Sequence, residues 1–140
     1  YAAKSDQVNI DRDEFIQAVT NLMRNSLQAM ILPPDSSQPK NQAFFLKLST
    51  RQEQNNICIE VTDNGVGISE NHQKLLFEKQ FSTKSADEGT GLGLGISRRF
   101  IRGHNGDIEF VSSVPFNQTL FKISLPLKNI GNSSIEKGAA

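Results

Sequence analysis

The stretch Gly89-Thr90-Gly91-Leu92-Gly93-Leu94-Gly95-Ile96-Ser97-Arg98-Arg99-Phe100-Ile101 places glycine at four alternate positions and then runs straight into a helical pattern. Glycines this dense, immediately before a strong helix, cost backbone entropy that needs a compensating role. Alternating glycines allow the chain to curl around phosphate, with amide N–H groups and the positive end of the helix turned toward the anion. The intervening Leu92 and Leu94 can turn inward and anchor the run. It is not a Walker loop, because no Gly-Lys-Ser/Thr follows. It is not the dinucleotide fingerprint either, since no clear strand precedes it and the spacing differs.

Outward from that run, the helix it opens is predicted from Leu92 to His104, with Leu94, Ile96, Phe100 and Ile101 as its apolar side and Asn105-Gly106 as the turn out. Two strands follow, Ile108–Ser112 and Leu120–Leu125, with Pro126 stopping the last. Toward the N-terminus, Gln7–Ile10 alternates like a short edge strand, and a helix from Asp11 to Met30 follows. Asp11 is the expected N-cap and Glu14 completes the spacing of a capping box. Phe15, Ile16, Val19, Leu22, Met23, Leu27 and Met30 form that helix's apolar face. Pro33, Pro34 and Pro39 end it in a loop. Phe44–Leu48 and Ile57–Val61 read as a hairpin around the polar residues 51–56, and a short helix is expected over Glu70–Phe77. This order points to an α+β fold, a two-layer α/β sandwich in which a mixed, mainly antiparallel sheet is covered by helices on one face. Residues 1–128 form the expected domain, and 129–140, polar and small, read as a flexible C-terminal tail.

The chain has 140 residues with 36% hydrophobic content, which suits one domain with a single core. Lys+Arg and Asp+Glu both number 15, so charge gives no reason to expect nucleic acid or an anionic membrane as a partner. No apolar run approaches the roughly 20 residues that span a bilayer. The single cysteine, Cys58, lies in a strand-like run and reads as a buried, inert thiol, which with the lack of cysteine pairs suggests a reducing, cytoplasmic setting. The chain opens at Tyr1 and reads as an excised fragment, so the intact protein can still be membrane-anchored.

Three further clusters carry chemistry. Gln17, Asn21, Asn25 and Gln28 line one stripe of the first helix, all amides where Lys and Glu are the usual solvated choice. An amide oxygen can ligate Mg²⁺ whose charge phosphates already neutralise; the same stripe also reads as a polar seam against another domain. Asp63-Asn64-Gly65-Val66-Gly67-Ile68 follows a strand, and its glycines let backbone approach a flat ligand. Asp63 can accept from an exocyclic amine, which adenine offers and guanine does not; an ordinary Asp-Asn-Gly turn is the alternative. Phe77-Glu78-Lys79-Gln80-Phe81-Ser82-Thr83-Lys84 sets two phenylalanines four apart before groups able to meet phosphate, though it also reads as a plain helix end.

Taken in order, these clusters resemble the N box, the first G box, the F box and the second G box of the histidine-kinase ATP-binding catalytic domain, in the superfamily shared with gyrase, the MutL repair protein and a heat-shock chaperone. The resemblance covers the chain to about Leu127 and implies a Bergerat-type ATP-binding fold, ATP/ADP and Mg²⁺ as ligands, and kinase activity. It implies that Asn25 ligates Mg²⁺ with Asn21 as its partner one turn earlier. Asp63 would bind the adenine amine in a pocket shaped by Gly65, Gly67 and Ile68, supported by Thr119. Phe77 and Phe81 would form the base of the ATP lid, with Thr83 and Lys84 facing phosphate, and Gly89, Thr90, Gly91, Leu92, Gly93 and Leu94 would form the phosphate run. The stretch Asn25-Ser26-Leu27-Gln28-Ala29-Met30 and the short lid resemble the nitrogen- and dicarboxylate-sensing branch.

Some positions depart from the pattern. Gly95 stands where serine or alanine is usual, Phe116 and Gln118 stand in place of glycines, and Gln28 replaces a basic residue. Hydrolytic relatives place a glutamate where Asn21 stands, and an amide cannot take a proton, so transfer is favoured over hydrolysis. A hydrolytic ATPase and a non-catalytic nucleotide-sensing module are the other readings. The only histidines, His72 and His104, lack the setting of a phospho-acceptor. The acceptor is therefore expected on a dimerisation domain of the same protein, with a response regulator downstream, no nucleic acid partner, and a monomeric fragment.

Overall fold

The computed structural model describes residues 7–31, 39, 41–78 and 93–128. In chain order the elements are α1 (Arg12–Ala29), β1 (Leu46–Glu53), β2 (Asn56–Asp63), α2 (Glu70–Gln73), α3 (Gly93–Gly103), β3 (Asp107–Val114) and β4 (Gln118–Pro126). The strands form one sheet in the order β1-β2-β4-β3, and every pair among them is antiparallel. The mixed character expected from the sequence is thus not found among the described strands. The expected edge strand at Gln7–Ile10 is reduced to a single antiparallel bridge between Val8 and Leu127.

Helix α1 starts where Asp11 accepts from the backbone N–H groups of Asp13 and Glu14, at 2.9 and 3.0 Å. Only half of a capping box is made. The Glu14 carboxylate lies 2.8 Å from His104 Nε2, so it is drawn away from the Asp11 N–H it was expected to meet. His104 follows α3, and Asn21 of α1 meets Ser97 of α3, so the two helices run antiparallel across one face of the sheet. The stripe of α1 that enters the core is Ala18 and Leu22 with Phe15 and Val19, while Ile16 and Leu27 remain 48% and 52% exposed. The apolar face is therefore rotated from the one expected.

The two central strands carry the core. Ile57, Ile59 and Val61 of β2 lie beside Leu125, Ile123 and Phe121 of β4, all on the face under the helices. Ile101 of α3 and Ile108 of β3 are fully buried against them, and Phe110 meets Phe121 edge to face at 5.6 Å between centroids. Each such side chain contributes about 1.5–3 kcal/mol by leaving water. Asn105 ends α3 in the left-handed region with φ 62°, which asparagine tolerates, as the Asn-Gly turn signal implied.

On the opposite face a charge ladder covers the strands. Arg51 pairs with Glu60 at 2.8 Å and also with Glu53; Lys122 meets Glu109 at 3.2 Å and Glu53 at 3.5 Å. This ladder explains why β1 reaches Glu53 when the sequence put the turn at 51–56: Arg51 and Glu53 are strand residues, and only Gln54-Asn55 turn. Cys58 lies under the ladder, 1% exposed, and burial pushes its thiol up, as expected of an inert cysteine. The expected helix over 70–77 is regular only through Gln73 and continues as turns. Among the described residues no helix is long and apolar enough to cross a membrane.

Candidate functional site

The end of β2, the start of β4, the β3–β4 turn and the C-terminal half of α1 converge on Asp63. This carboxylate is 2% exposed, and its Oδ1 accepts from Gly65 N–H at 2.9 Å. Burial pushes its pKa up, while hydrogen bonds from Gly65 and from the Ser26 hydroxyl of α1 oppose that shift. In the sheet register Asp63 stands directly opposite Thr119. Directly paired residues project to the same face, so these two lie side by side.

The loop after Asp63 is fixed from three sides. Val66 N–H donates to the Ala29 carbonyl at 3.0 Å, which tucks the loop beneath the end of α1. A Cβ at Gly65 would lie 2.6 Å from that same carbonyl oxygen, so only glycine fits there. Gly67 takes φ +77°, the left-handed conformation glycine adopts freely, and a Cβ on it would press on Pro115 and Ser113. The Ser113 hydroxyl accepts from Ile68 N–H at 2.9 Å and lies 2.9 Å from Thr119 Oγ1. Phe116 N–H donates to Gly65 O at 2.8 Å, and Gln42 donates to the Phe116 carbonyl. Asn64, buried, accepts from Phe45 N–H at 2.8 Å and donates to Ala43 O at 2.9 Å. The whole strand-end wall is thus rigid, polar and satisfied, as a preformed recognition surface requires.

A second cluster joins α1 to the start of α3. Asn21 Nδ2 donates to Ser97 Oγ at 2.9 Å and reaches Gly93 O at 3.4 Å, while Ser97 Oγ donates to Gly93 O at 2.6 Å. Within the amide stripe of α1, Asn21 is therefore tied inside the domain, against α3, while Gln17 is exposed. Asn25, one turn along and half-buried, lies on the same stripe. Leu94 packs against the core, as the inward-turning leucines were expected to do. Phe77 also packs there, and the Arg98 guanidinium stacks over its ring at 4.3 Å from the centroid. Gly95 lets α3 approach Phe77 closely, since a Cβ there would be 3.1 Å from the Phe77 carbonyl oxygen. Arg98 and Arg102 both bind Asp107, with Nε–Oδ1 distances of 2.8 and 2.9 Å. Burial alone would raise the Asp107 carboxyl, but those two guanidinium hydrogen bonds outweigh it and hold the group far below the usual range.

Of the residues singled out in the sequence, Asp63, Gly65, Gly67, Ile68 and Thr119 come together at one strand end, and Asn21 and Gly93 meet across the helix pair. Phe81, Thr83, Lys84, Gly89, Thr90, Gly91 and Leu92 lie outside the described residues, as does the tail at 129–140. Sequence reasoning missed Ser26, Asn64, Ser97 and Ser113, all polar and tied into these clusters. A buried serine in a helix or strand leaves no periodic signal; the faint one here was Ser26 and Ser97 occurring at otherwise apolar helix positions.

Among the described residues no group of three or more His, Cys, Asp or Glu can hold a metal ion. The polar donors of the α1 stripe are neutral amides, which fit a hard cation carried in by phosphates and do not form a free-standing cage.

Residues 10–129 match the family described as histidine kinase-, DNA gyrase B-, and HSP90-like ATPase. The chain is 35% identical over 128 residues to the signal transduction histidine-protein kinase AtoS of Escherichia coli K12, covering 91% of this chain and 19% of that protein. It is 37% identical over 121 residues to the sensory histidine kinase/phosphatase NtrB of Escherichia coli O157:H7, covering 84% of this chain and 33% of that one. Among solved structures, a nucleotide-free catalytic domain of the histidine kinase ThkA matches with TM-score 0.66 and 28% identity, over 85% of this chain and 70% of that chain. The chain thus spans only a minor part of the curated relatives it matches.

Proposed function

The chain belongs to the histidine kinase-, DNA gyrase B-, and HSP90-like ATPase family, and from that premise we propose that it binds Mg–ATP and transfers the γ-phosphoryl group to a histidine on a separate dimerisation domain. The observation that carries this reading is Asp63, a buried carboxylate at a strand end, held by Gly65 N–H opposite Thr119. A desolvated carboxylate with one lobe already bound selects a ligand that brings a donor. The adenine amine is such a donor, and a hydrogen bond to a charged acceptor is worth about 1.5–3 kcal/mol. Guanine presents a carbonyl at that edge and would meet Asp63 acceptor to acceptor.

In this reading Gly65, Gly67, Ile68 and Thr119 form the adenine wall, and Phe77 with Phe81 forms the base of a lid. Thr83, Lys84 and the run Gly89, Thr90, Gly91, Leu92, Gly93 and Leu94 meet the phosphates. Asn25 holds Mg²⁺, which when bound neutralises phosphate charge. Asn21 sets α1 against the first turn of α3, so that the metal-side amide and the phosphate-side backbone keep one spacing. No group at the Asn21 position takes a proton from water, which favours transfer to a supplied nucleophile. We take residues 1–128 as this catalytic unit, a downstream response regulator as the eventual phosphate acceptor, and the cytoplasm as its compartment.

The test is label transfer from γ-labelled ATP to an added helical dimerisation domain bearing a histidine, from a relative such as NtrB. Labelling of that domain by the wild type, lost in Asn25→Ala, is expected. Steady phosphate release without any acceptor, abolished by the same substitution, would instead establish a hydrolytic enzyme.

A further inference from the structure

The two edges of the described sheet are built differently. On β3 the register slips between Phe110 and Ser112, and such a bulge turns an edge away from further pairing. On β1 the eight residues Leu46–Glu53 pair with β2 without a slip, and none of them is proline. A long, regular edge presents a row of backbone donors and acceptors to another strand. The turn at Gln54-Asn55 has two residues, so its closing pair, Glu53 and Asn56, is hydrogen-bonded and the pattern alternates from there. Lys47, Ser49 and Arg51 thus bond to β2, while Leu48, Thr50 and Gln52 turn their N–H and C=O groups outward.

Side chains alternate along the same edge. Leu48 and Thr50 stand opposite Val61 and Ile59 on the helix face, whereas Lys47, Ser49, Arg51 and Glu53 lie on the charged face. Leu48 is 50% exposed beside α1, whose flank turned away from α3 carries the exposed Ile16 and Leu27. Lys47 is exposed and stands outside the charge ladder.

Charge selects the partner and the register. An antiparallel copy of β1 centred on Ser49 sets Lys47 opposite Arg51 twice, and one centred on Arg51 sets that guanidinium against itself. Centring on Leu48 leaves Lys47 opposite Ser49, and centring on Gln52 uses only the last three residues of the strand. Centring on Thr50 sets Lys47 opposite Glu53 twice, covers Leu48 with Gln52, and lets the two Thr50 residues exchange both backbone hydrogen bonds.

We infer that β1 is a self-association edge. Two copies of this chain pair antiparallel through Thr50, with Lys47 of each meeting Glu53 of the other, and join their four-stranded sheets into one. This dimer replaces the monomer expected from the sequence, and it stands independently of the nucleotide reading.

Sedimentation equilibrium tests it, run up to about 1 mM because one strand pairing lies at the small, weak end of interfaces, with melts to confirm folding. The wild type should show a concentration-dependent dimer. Thr50→Pro removes an N–H that β2 does not use, which an edge strand tolerates, and should give a folded monomer. Lys47→Glu and Glu53→Lys should each weaken the dimer about tenfold, because each sets like charges opposite one another twice, and less so in high salt. An equimolar mixture of those two variants should recover wild-type association, since the mixed pair opposes unlike charges at both contacts. Thr50→Pro and Lys47→Glu decide the question even if Glu53→Lys, which also loses Arg51 and Lys122, fails to fold. A wild type that stays monomeric, or a dimer that survives Thr50→Pro or is indifferent to Lys47→Glu, would overturn the inference. So would a mixture of folded variants no tighter than either alone. A dimer lost in Leu27→Lys but kept in Thr50→Pro would place the contact on α1 instead.

Discussion

Replacing Gly65 by alanine tests whether the Asp63 loop is built against α1 as tightly as its contacts say. An added Cβ would lie 2.6 Å from the Ala29 carbonyl oxygen, 2.7 Å from the Ala29 carbonyl carbon and 2.8 Å from the Ala29 Cβ. Ordinary contact needs about 3.5 Å, so the loop or the end of α1 must shift by nearly 1 Å. Two of those three atoms are backbone, so no rotamer change relieves the clash. Overpacking of this kind costs about 1–3 kcal/mol. The shift also strains the Val66 N–H bond to Ala29 O, now 3.0 Å, worth about 0.5–1.5 kcal/mol. The total is about 2–4 kcal/mol. At roughly 3–4 °C per kcal/mol for a domain of this size, Gly65→Ala should melt near 10 °C below the wild type. Gly103→Ala is the control, because a Cβ there meets nothing within 4 Å and a helix-end alanine is neutral or stabilising by up to about 1 kcal/mol. Thermal and urea melts followed by circular dichroism read both, with the urea slope showing that compactness is unchanged. A Gly65→Ala protein melting within about 1 °C of the Gly103→Ala control would refute the account of this loop.

Three further outcomes follow from other contacts. Asp107 has a depressed folded pKa, so its contribution is present above the unfolded value near 3.8 and is lost as pH falls through the folded one. Asp107→Asn should therefore destabilise at pH 7 by about 1–2 kcal/mol, discounted for partial exposure, and the gap from wild type should narrow in strong acid and in high salt. A pH-independent difference would rule out the charge pairing as its cause. Ser97→Ala removes the 2.9 Å partner of Asn21 and leaves only its 3.4 Å contact with Gly93 O, which should cost about 1–2 kcal/mol in a urea melt and reduce nucleotide-induced stabilisation; an unchanged nucleotide response would separate Ser97 from the site. Gln54, exposed and held at φ 52°, should gain about 0.5–1 kcal/mol on replacement by glycine, and a loss in the same melt would mean that its side chain contributes to the hairpin.

How much of this was legible in the sequence depended on what kind of signal each feature leaves. The glycine run, the Asp63 loop and the amide stripe were visible because each uses residue types out of keeping with the element that carries it. The long helices and the central strands were visible through periodicity, as with Ile57, Ile59 and Val61. Strand ends were misjudged where charge concealed pairing: Arg51 and Glu53 read as turn material, yet they are held in β1 by Glu60 on the adjacent β2 and by Lys122 on β4, one strand further. The capping box failed for a similar reason, because His104, distant in sequence, captures Glu14. The α1 face came out rotated because Ala18 and Ser26, too small or too polar to register as apolar, occupy the buried stripe in place of Ile16 and Leu27. Long-range partners of this sort are set by the assembled sheet and are not encoded in any local pattern.

The central claim rests on Asp63, and a thermal melt of wild type and Asp63→Asn with Mg²⁺ and ADP, ATP or GTP tests it most directly. Asp63 has a raised folded pKa, so its contribution to stability is present below the unfolded value and lost as pH rises through the folded one. At pH 7 the ligand-free Asp63→Asn protein should accordingly melt no lower than the wild type, which sets its folding apart from its binding. Adenine nucleotides at about 100 times their dissociation constant should stabilise the wild type by roughly 2.7 kcal/mol, GTP should not, and Asp63→Asn should lose most of the effect. Equal stabilisation by GTP, or an undiminished ADP response in Asp63→Asn, would contradict the account.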